Sequence, residues 1–406
     1  MGELAINLAD RARSISASPT MAIDAQAKKM VKEGIHIISF GVGEPDFDTP
    51  KHIKSAAAQA LAKGFTKYTP VAGIDDLKEA IKDKLSNENG LDYQTSQIVV
   101  SNGAKHSLFN AIQVLINPGD EVVLPAPYWV SYAEMVKLAG GIPRVVITRE
   151  ENDFKLTPAE LEAVINPSTK LLILNSPSNP TGSVYNRDEL QALADCLVRH
   201  QLIVISDEIY EKLVYDELEH VSLASLGPEI KELTIVVNGV SKSYSMTGWR
   251  IGYAAAPASV AKAMADLQSH ATSNPNSFAQ WGAVEAIRGS QTPVKEMVAE
   301  FKKRRDYILE RLSAIPGITC RKPGGAFYAF PNISAAFGHS YQGEEIRDSA
   351  DLARIMLSHG RIAVVPGIAF GVNDYLRLSY ATSQENIEEG LNRFEQVWRT
   401  LLNNLT

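Results

Sequence analysis

Leu202-Ile203-Val204-Ile205-Ser206-Asp207 is a run of four branched apolar residues that closes on two polar ones. Three other stretches share that grammar: Glu121-Val122-Val123-Leu124-Pro125, Lys170-Leu171-Leu172-Ile173-Leu174-Asn175 and Thr234-Ile235-Val236-Val237-Asn238. Nearly continuous apolar runs of this length suit parallel strands covered on both faces, whereas a half-exposed antiparallel strand would alternate. Helical stretches, Tyr132 to Leu138 and Arg187 to His200, lie between the runs. Such alternation predicts an α/β fold with right-handed crossovers. Ligands of these sheets bind beyond the carboxyl ends of the strands. The polar residues to watch are therefore Asn175, Asp207 and the segment around Ser241.

Outside this region the texture changes. After about Trp281 a long helical pattern, Val294 to Leu312, leads into Gly324-Gly325-Ala326-Phe327-Tyr328, then Ile362 to Pro366 and Tyr375 to Ser379, before a closing helix. This predicts a smaller α+β domain. The expected division is an N-terminal arm and part of the small domain over 1–46, a large domain over 47–285, and a small C-terminal domain over 286–406. A length of 406 residues agrees with two or three domains at roughly 150 residues each.

Composition narrows the function classes. The chain carries 40 Lys+Arg against 47 Asp+Glu, a net charge of −7, which argues against phosphate-backbone recognition and hence against a nucleic-acid partner. The one basic run, Lys302-Lys303-Arg304-Arg305, reads as a solvated helix face. Two separated cysteines, Cys196 and Cys320, exclude a disulfide framework and a cysteine-based zinc site, and they suit a reducing compartment. No segment reaches the roughly 18 consecutive apolar residues of a membrane span. Glu3 and Asp10, with no apolar stretch between Met1 and Arg13, argue against a secretory leader. The expectation is a soluble cytoplasmic protein without a membrane or metal.

Four stretches could do chemistry. In Val240-Ser241-Lys242-Ser243-Tyr244-Ser245-Met246-Thr247-Gly248-Trp249-Arg250, Lys242 follows a strand end. A lysine is a poor nucleophile unless burial or a neighbouring cation such as Arg250 lowers its pKa, which is how an amine comes to form a Schiff base with an aldehyde. Alone, a loop lysine is more often exposed and inert. Ile98 to Phe109 takes a β-run through Ser101-Asn102-Gly103 directly into a helix, leaving free N–H groups as an anion cradle; the same turn also arises for purely topological reasons. Asn175-Ser176-Pro177-Ser178-Asn179-Pro180-Thr181-Gly182 is a rigid turn presenting Asn179, and plain turn chemistry explains it equally well. Asp207, ahead of Glu208-Ile209-Tyr210, is a carboxylate at a buried strand end, costly unless it meets a cation.

Together these groups describe a ligand with a phosphate (helix N-terminus, Ser241, Arg250), an aldehyde (Lys242), a cationic ring nitrogen (Asp207) and a phenolate-like oxygen (Asn179, Tyr210). Pyridoxal 5′-phosphate (PLP) has all four. The chain also resembles the fold-type I, class I aminotransferases, and most of all the bacterial subgroup of aspartate aminotransferases. The resemblance runs from about Arg11 to Arg393. It is carried by Gly-Glu-Pro-Asp-Phe-Asp-Thr-Pro at 43–50, Lys-Tyr-Thr-Pro-Val-Ala-Gly at 67–73, Asn-Pro-Thr-Gly at 179–182, Ser-Asp-Glu-Ile-Tyr at 206–210 and Ser-Lys-Ser-Tyr-Ser-Met-Thr-Gly-Trp-Arg at 241–250.

The resemblance implies a large domain built on a mostly parallel seven-stranded sheet between helices, and a homodimer with shared active sites. By similarity Lys242 is the Schiff-base lysine and the proton shuttle, Asp207 holds the ring nitrogen protonated, and Tyr210 and Asn179 bond the phenolic oxygen. The phosphate takes the backbone of Gly103, Ala104 and Lys105, with Ser241, Arg250 and a Tyr68 contributed by the neighbouring subunit. Trp129 matches the aromatic that stacks on the ring, and Arg377 the arginine that grips the substrate α-carboxylate, with Gly43 beside it. Without the motifs, Tyr68 and Trp129 would pass for ordinary aromatics and Arg377 for a solvent-facing strand residue.

Lys105 stands where dicarboxylate-using relatives carry a lysine for the distal carboxylate, and Ser18 and Thr20 match a family segment pointing the same way. The implied reaction is transfer of the amino group between L-aspartate and 2-oxoglutarate. Relatives that use prephenate carry a basic residue near Ser16, a departure that weakens the case for prephenate, although Arg13 is close. Aromatic or alanine specificity also stays open, as does a PLP β-lyase on the same fold, which would share Lys242, Asp207 and Arg250. A cofactor-sensing transcription regulator would need a winged-helix segment ahead of residue 11.

Overall fold

The four apolar runs are strands, and three further strands join them. The computed structural model describes residues 7–15 and 19–403. Ser16 and Ser18 lie outside the described residues, as does the side chain of Thr20. In chain order the strands of the main sheet are β1 (Ile98–Ser101), β2 (Glu121–Ala126), β3 (Ile142–Ile147), β4 (Thr169–Asn175), β5 (Ile203–Asp207), β6 (Thr234–Gly239) and β7 (Gly252–Ala255). They lie side by side as β1-β7-β6-β5-β4-β2-β3. Every neighbouring pair is parallel except those of β7, which runs antiparallel to both β6 and β1. The fold is thus α/β, with the mostly parallel seven-stranded sheet expected for a fold-type I transferase.

Burial explains why the runs did not alternate. All of β6 is buried, as is β5 after Ile203, so both faces of each strand need apolar side chains. β3 had no such signature: it is an edge strand whose apolar residues are interrupted by Pro143 and Arg144, and it is mostly exposed.

Two features of the sheet place the site. Asn175 pairs with Asp207 in register, so β4 and β5 end level with one another. Because β7 opposes its neighbours, the chain that leaves β6 at Gly239 re-enters the sheet at Gly252 from the same end. The connecting loop, with Ser241, Lys242 and Arg250, therefore stays at the carboxyl ends of the parallel strands.

A second, three-stranded antiparallel sheet joins Val365–Pro366, Leu376–Ser379 and Tyr328–Ala329. Ile38–Ser39 pairs in parallel with Ile362–Ala363, and the Ser379 N–H donates to the Phe40 carbonyl. Helices Thr292–Ser313 and Gln384–Asn403 cover these strands and bury Phe301, Phe394 and Trp398.

The basic run corrects one expectation. Lys302 and Lys303 are solvated, but Arg304 and Arg305 are buried, at 7% and 0% exposure. Arg304 Nη1 donates to both Asp46 carboxylate oxygens at 2.8 and 2.9 Å, and Arg305 forks onto Asp216 through Nη1 and Nη2 at 2.9 and 3.1 Å. At helical spacing a run of four spans a full turn, so two of its members face inward, where carboxylates on distant segments receive them.

Candidate active site

A cavity of about 410 Å³ opens at the carboxyl ends of β4, β5 and β6. Eleven of the thirteen residues singled out from the sequence line it: Gly43, Ala104, Lys105, Trp129, Asn179, Asp207, Tyr210, Ser241, Lys242, Arg250 and Arg377. Gly103 does not line it but caps the helix that begins at Ala104. Tyr68 does not line it and is 90% exposed.

Lys242 Nζ donates to the Gly43 carbonyl at 2.5 Å. Burial, assisted by Arg250 and Arg377, brings its pKa down to about 8, against the opposing pull of Glu44 and Asp207. An amine so adjusted has an unprotonated fraction at neutral pH that an exposed lysine lacks.

Asp207 is 3% exposed. Tyr132 Oη donates to its Oδ2 at 2.6 Å and the Ile209 N–H to its Oδ1 at 3.2 Å. Burial nevertheless raises its pKa to about 6, because two neutral donors do not offset the loss of hydration. A cation placed against this carboxylate would offset it, and a protonated ring nitrogen is such a cation.

Arg377 is 3% exposed. Its Nη1 donates to Asn179 Oδ1 at 3.0 Å and its Nη2 to the Gly41 carbonyl at 2.8 Å. The guanidinium lies 4.5 Å above the Tyr328 ring and 5.2 Å from that of Phe370. Its Nε is buried without a partner, and both of its bonded partners among the described residues are neutral oxygens. A buried arginine with an unspent donor is built for an incoming carboxylate.

At the other end, Gly103 caps the helix Ala104–Leu115 with φ 86° and no side-chain cap. A Cβ on Gly103 would fall 2.3 Å from Arg250 Nη2, and one on Gly252 would fall 2.1 Å from the Ala104 nitrogen. Two glycines thus let β7, the helix N-terminus and Arg250 converge. Arg250 is fixed through Nη1 to the Thr247 carbonyl at 2.9 Å and Nη2 to the Asn102 carbonyl at 3.3 Å. Unpaired first-turn N–H groups beside a guanidinium and the buried Ser241 suit a phosphate. Lys105 Nζ sits 4.6 Å over the Trp129 ring, its pKa lowered by burial and then by Arg250.

Residues not foreseen complete the site. Tyr132 supports Asp207, and the Tyr328 hydroxyl meets that of Tyr210 at 2.8 Å. Tyr132 had a faint signal, since it falls one turn beyond Trp129 as the helix Ser131–Leu138 begins. Tyr328 had none.

A nucleophilic amine, a buried carboxylate suited to a cationic ring nitrogen and a phosphate cradle, all at one end of a mostly parallel sheet, define a PLP-dependent enzyme of fold-type I. Comparison with known proteins gives the family. The family model "Aminotransferase class I and II" matches residues 35–394. An aspartate aminotransferase of Geobacillus stearothermophilus is 49% identical over 391 residues, covering 96% of this chain and 98% of that protein. An aspartate/prephenate aminotransferase of Cereibacter sphaeroides is 47% identical over 390 residues, with the same coverage of both chains. The crystal structure of the Rhizobium meliloti aspartate aminotransferase superimposes with a TM-score of 0.95 at 43% identity, over 98% of this chain and 100% of that one. The chain belongs to the class I and II aminotransferases, and it is a PLP-dependent aminotransferase.

Proposed function

We propose that the enzyme exchanges the amino group of L-aspartate with 2-oxoglutarate, giving oxaloacetate and L-glutamate. One observation carries this choice: Lys105, stacked on Trp129, supplies the Arg377 cavity with a further side-chain cation besides Lys242 and Arg250. With Arg250 assigned to the phosphate and Lys242 to the chemistry, Arg377 and Lys105 remain for two carboxylates, which aspartate, glutamate and both 2-oxo acids carry.

When bound, PLP supplies an electrophilic carbonyl carbon and a protonated ring that accepts the charge left as the substrate Cα loses its proton. The chain's residues do the rest. Lys242, at a pKa of about 8, moves the Cα proton. Asp207 keeps the ring nitrogen protonated, and Tyr132 fixes the direction of that carboxylate. Asn179 and Tyr210 serve the ring oxygen, and Trp129 covers the ring face. Gly103, Ala104, the Lys105 backbone, Ser241 and Arg250 hold the phosphate. Arg377, with Gly43 beside it, orients the α-carboxylate.

In the same reading two chains share each site. Tyr68 is far too exposed to be part of its own cavity, and it serves the phosphate of the neighbouring subunit in a cytoplasmic homodimer. The arm 1–46, large domain 47–285 and small domain 286–406 belong to this reading too. Among the described residues no helix is long and apolar enough to cross a membrane.

A visible absorbance scan of the PLP-loaded protein tests the substrate. L-Aspartate alone should bleach the yellow band, and L-alanine should do so far more slowly. A band indifferent to aspartate but responsive to alanine would overturn the assignment. A second reading, prephenate as amino acceptor, is favoured by the name of the Cereibacter sphaeroides relative. Turnover of prephenate with aspartate or glutamate would establish it.

A further inference from the structure

Tyr328 is fully buried and lines the cavity, yet neither the motifs nor the reaction accounts for it. It touches two parts of the site at once. Its ring lies 4.5 Å beneath the Arg377 guanidinium, and its hydroxyl lies 2.8 Å from that of Tyr210. A Cβ on Gly43 would come within 3.1 Å of the same hydroxyl, so the glycine at 43 leaves it the space it occupies. Arg377 occupies the strand that pairs with that of Tyr328.

We propose that Tyr328 is a positioning residue that couples the substrate-carboxylate grip to the ring-oxygen grip. Its ring is the shelf that holds Arg377 in the plane where its fork meets a carboxylate. Its hydroxyl donates to the Tyr210 oxygen, which leaves the single Tyr210 proton to point into the cavity. Burial raises the pKa of both phenols, and the nearby Arg377 guanidinium opposes that rise in each. A tyrosine that receives a hydrogen bond is in turn a stronger donor itself.

The inference rests on the proposed roles of Tyr210 and Arg377, so its test carries controls for both. Tyr328→Phe keeps the shelf and removes the hydroxyl. In the PLP-loaded protein, the pH midpoint of the visible band should rise by a few tenths of a unit as Tyr210 becomes a weaker donor. The dissociation constant of maleate, an unreactive dicarboxylate, should stay within about twofold of the parent's, since the shelf's cation–π contact is intact. Tyr328→Leu removes the ring as well, and maleate binding should weaken about 3- to 30-fold, the range of a buried cation–π contact. An unmoved midpoint in the Phe variant, or undiminished maleate affinity in the Leu variant, would overturn the proposal. Tyr210→Phe and Arg377→Ala separate the causes. If they move the midpoint and the affinity while the Tyr328 variants do not, only the Tyr328 inference falls. If they too have no effect, the site roles beneath it fall.

Discussion

At the scale of single residues, two charged side chains weigh most in the proposed chemistry. For Asp207, folding raises the carboxyl from an ordinary value of 3.8 to about 6. Between those values the folded chain binds more protons than the unfolded one, so the contribution of Asp207 to stability falls as pH rises through the window. In cofactor-free protein, the melting temperature of Asp207→Asn relative to the parent should therefore increase between pH 4 and pH 7, even though the variant loses turnover. A difference that stays flat with pH would mean that Asp207 is not the group under strain. For Lys105, Lys105→Ala should lower kcat/KM for L-aspartate by about 10- to 150-fold, the value of a charge-assisted contact, while that for L-alanine changes little. Equal losses for both substrates would make Lys105 a phosphate residue only. Lys242, Asp207 and Asn179 were legible in the sequence because each follows a strand end within a distinctive motif. Tyr132 and Tyr328 were not: their partners lie 75 and 118 residues away, and only folding brings these hydroxyls together.

Among elements, the decisive arrangement is the convergence of β7, the helix Ala104–Leu115 and Arg250. Gly252 faces Ser101 on one side and Gly239 on the other, with no space for a side chain against Ala104. Gly252→Ala should cost about 1–3 kcal/mol in urea unfolding by overpacking. By displacing the helix N-terminus it should also weaken PLP retention at least about tenfold, equivalent to one lost anion contact. Retention at the parental level, measured by dialysis and absorbance, would show that the cradle tolerates the shift. The buried parallel strands were readable from their unbroken apolar runs. The direction of β7 was not, because Gly-Tyr-Ala-Ala reads the same in either orientation, and an exposed edge strand such as β3 lacks the pattern burial imposes.

For the whole molecule, the proposed role of the exposed Tyr68 would make activity a property of two chains. Tyr68→Ala and Lys242→Ala should each be impaired alone. Co-expressed in equal amounts, they should recover roughly a quarter of the parental activity, since half of the randomly formed dimers carry one site with both residues intact. No recovery would place Tyr68 within its own chain's function or outside the site altogether. The order of the sheet has a further consequence, for biosynthesis. β1 sits at an edge and, among the described residues, its one neighbouring strand is β7, which comes about 150 residues later. At about 5–20 residues per second the ribosome takes about 8–30 s to cover that distance. Throughout that interval the nascent chain holds the helix Ala104–Leu115 without β7, which packs against its N-terminus. Under the proposed roles, no complete cradle for the cofactor phosphate exists before β7 is made, and until then residues 98–115 lack their partner strand.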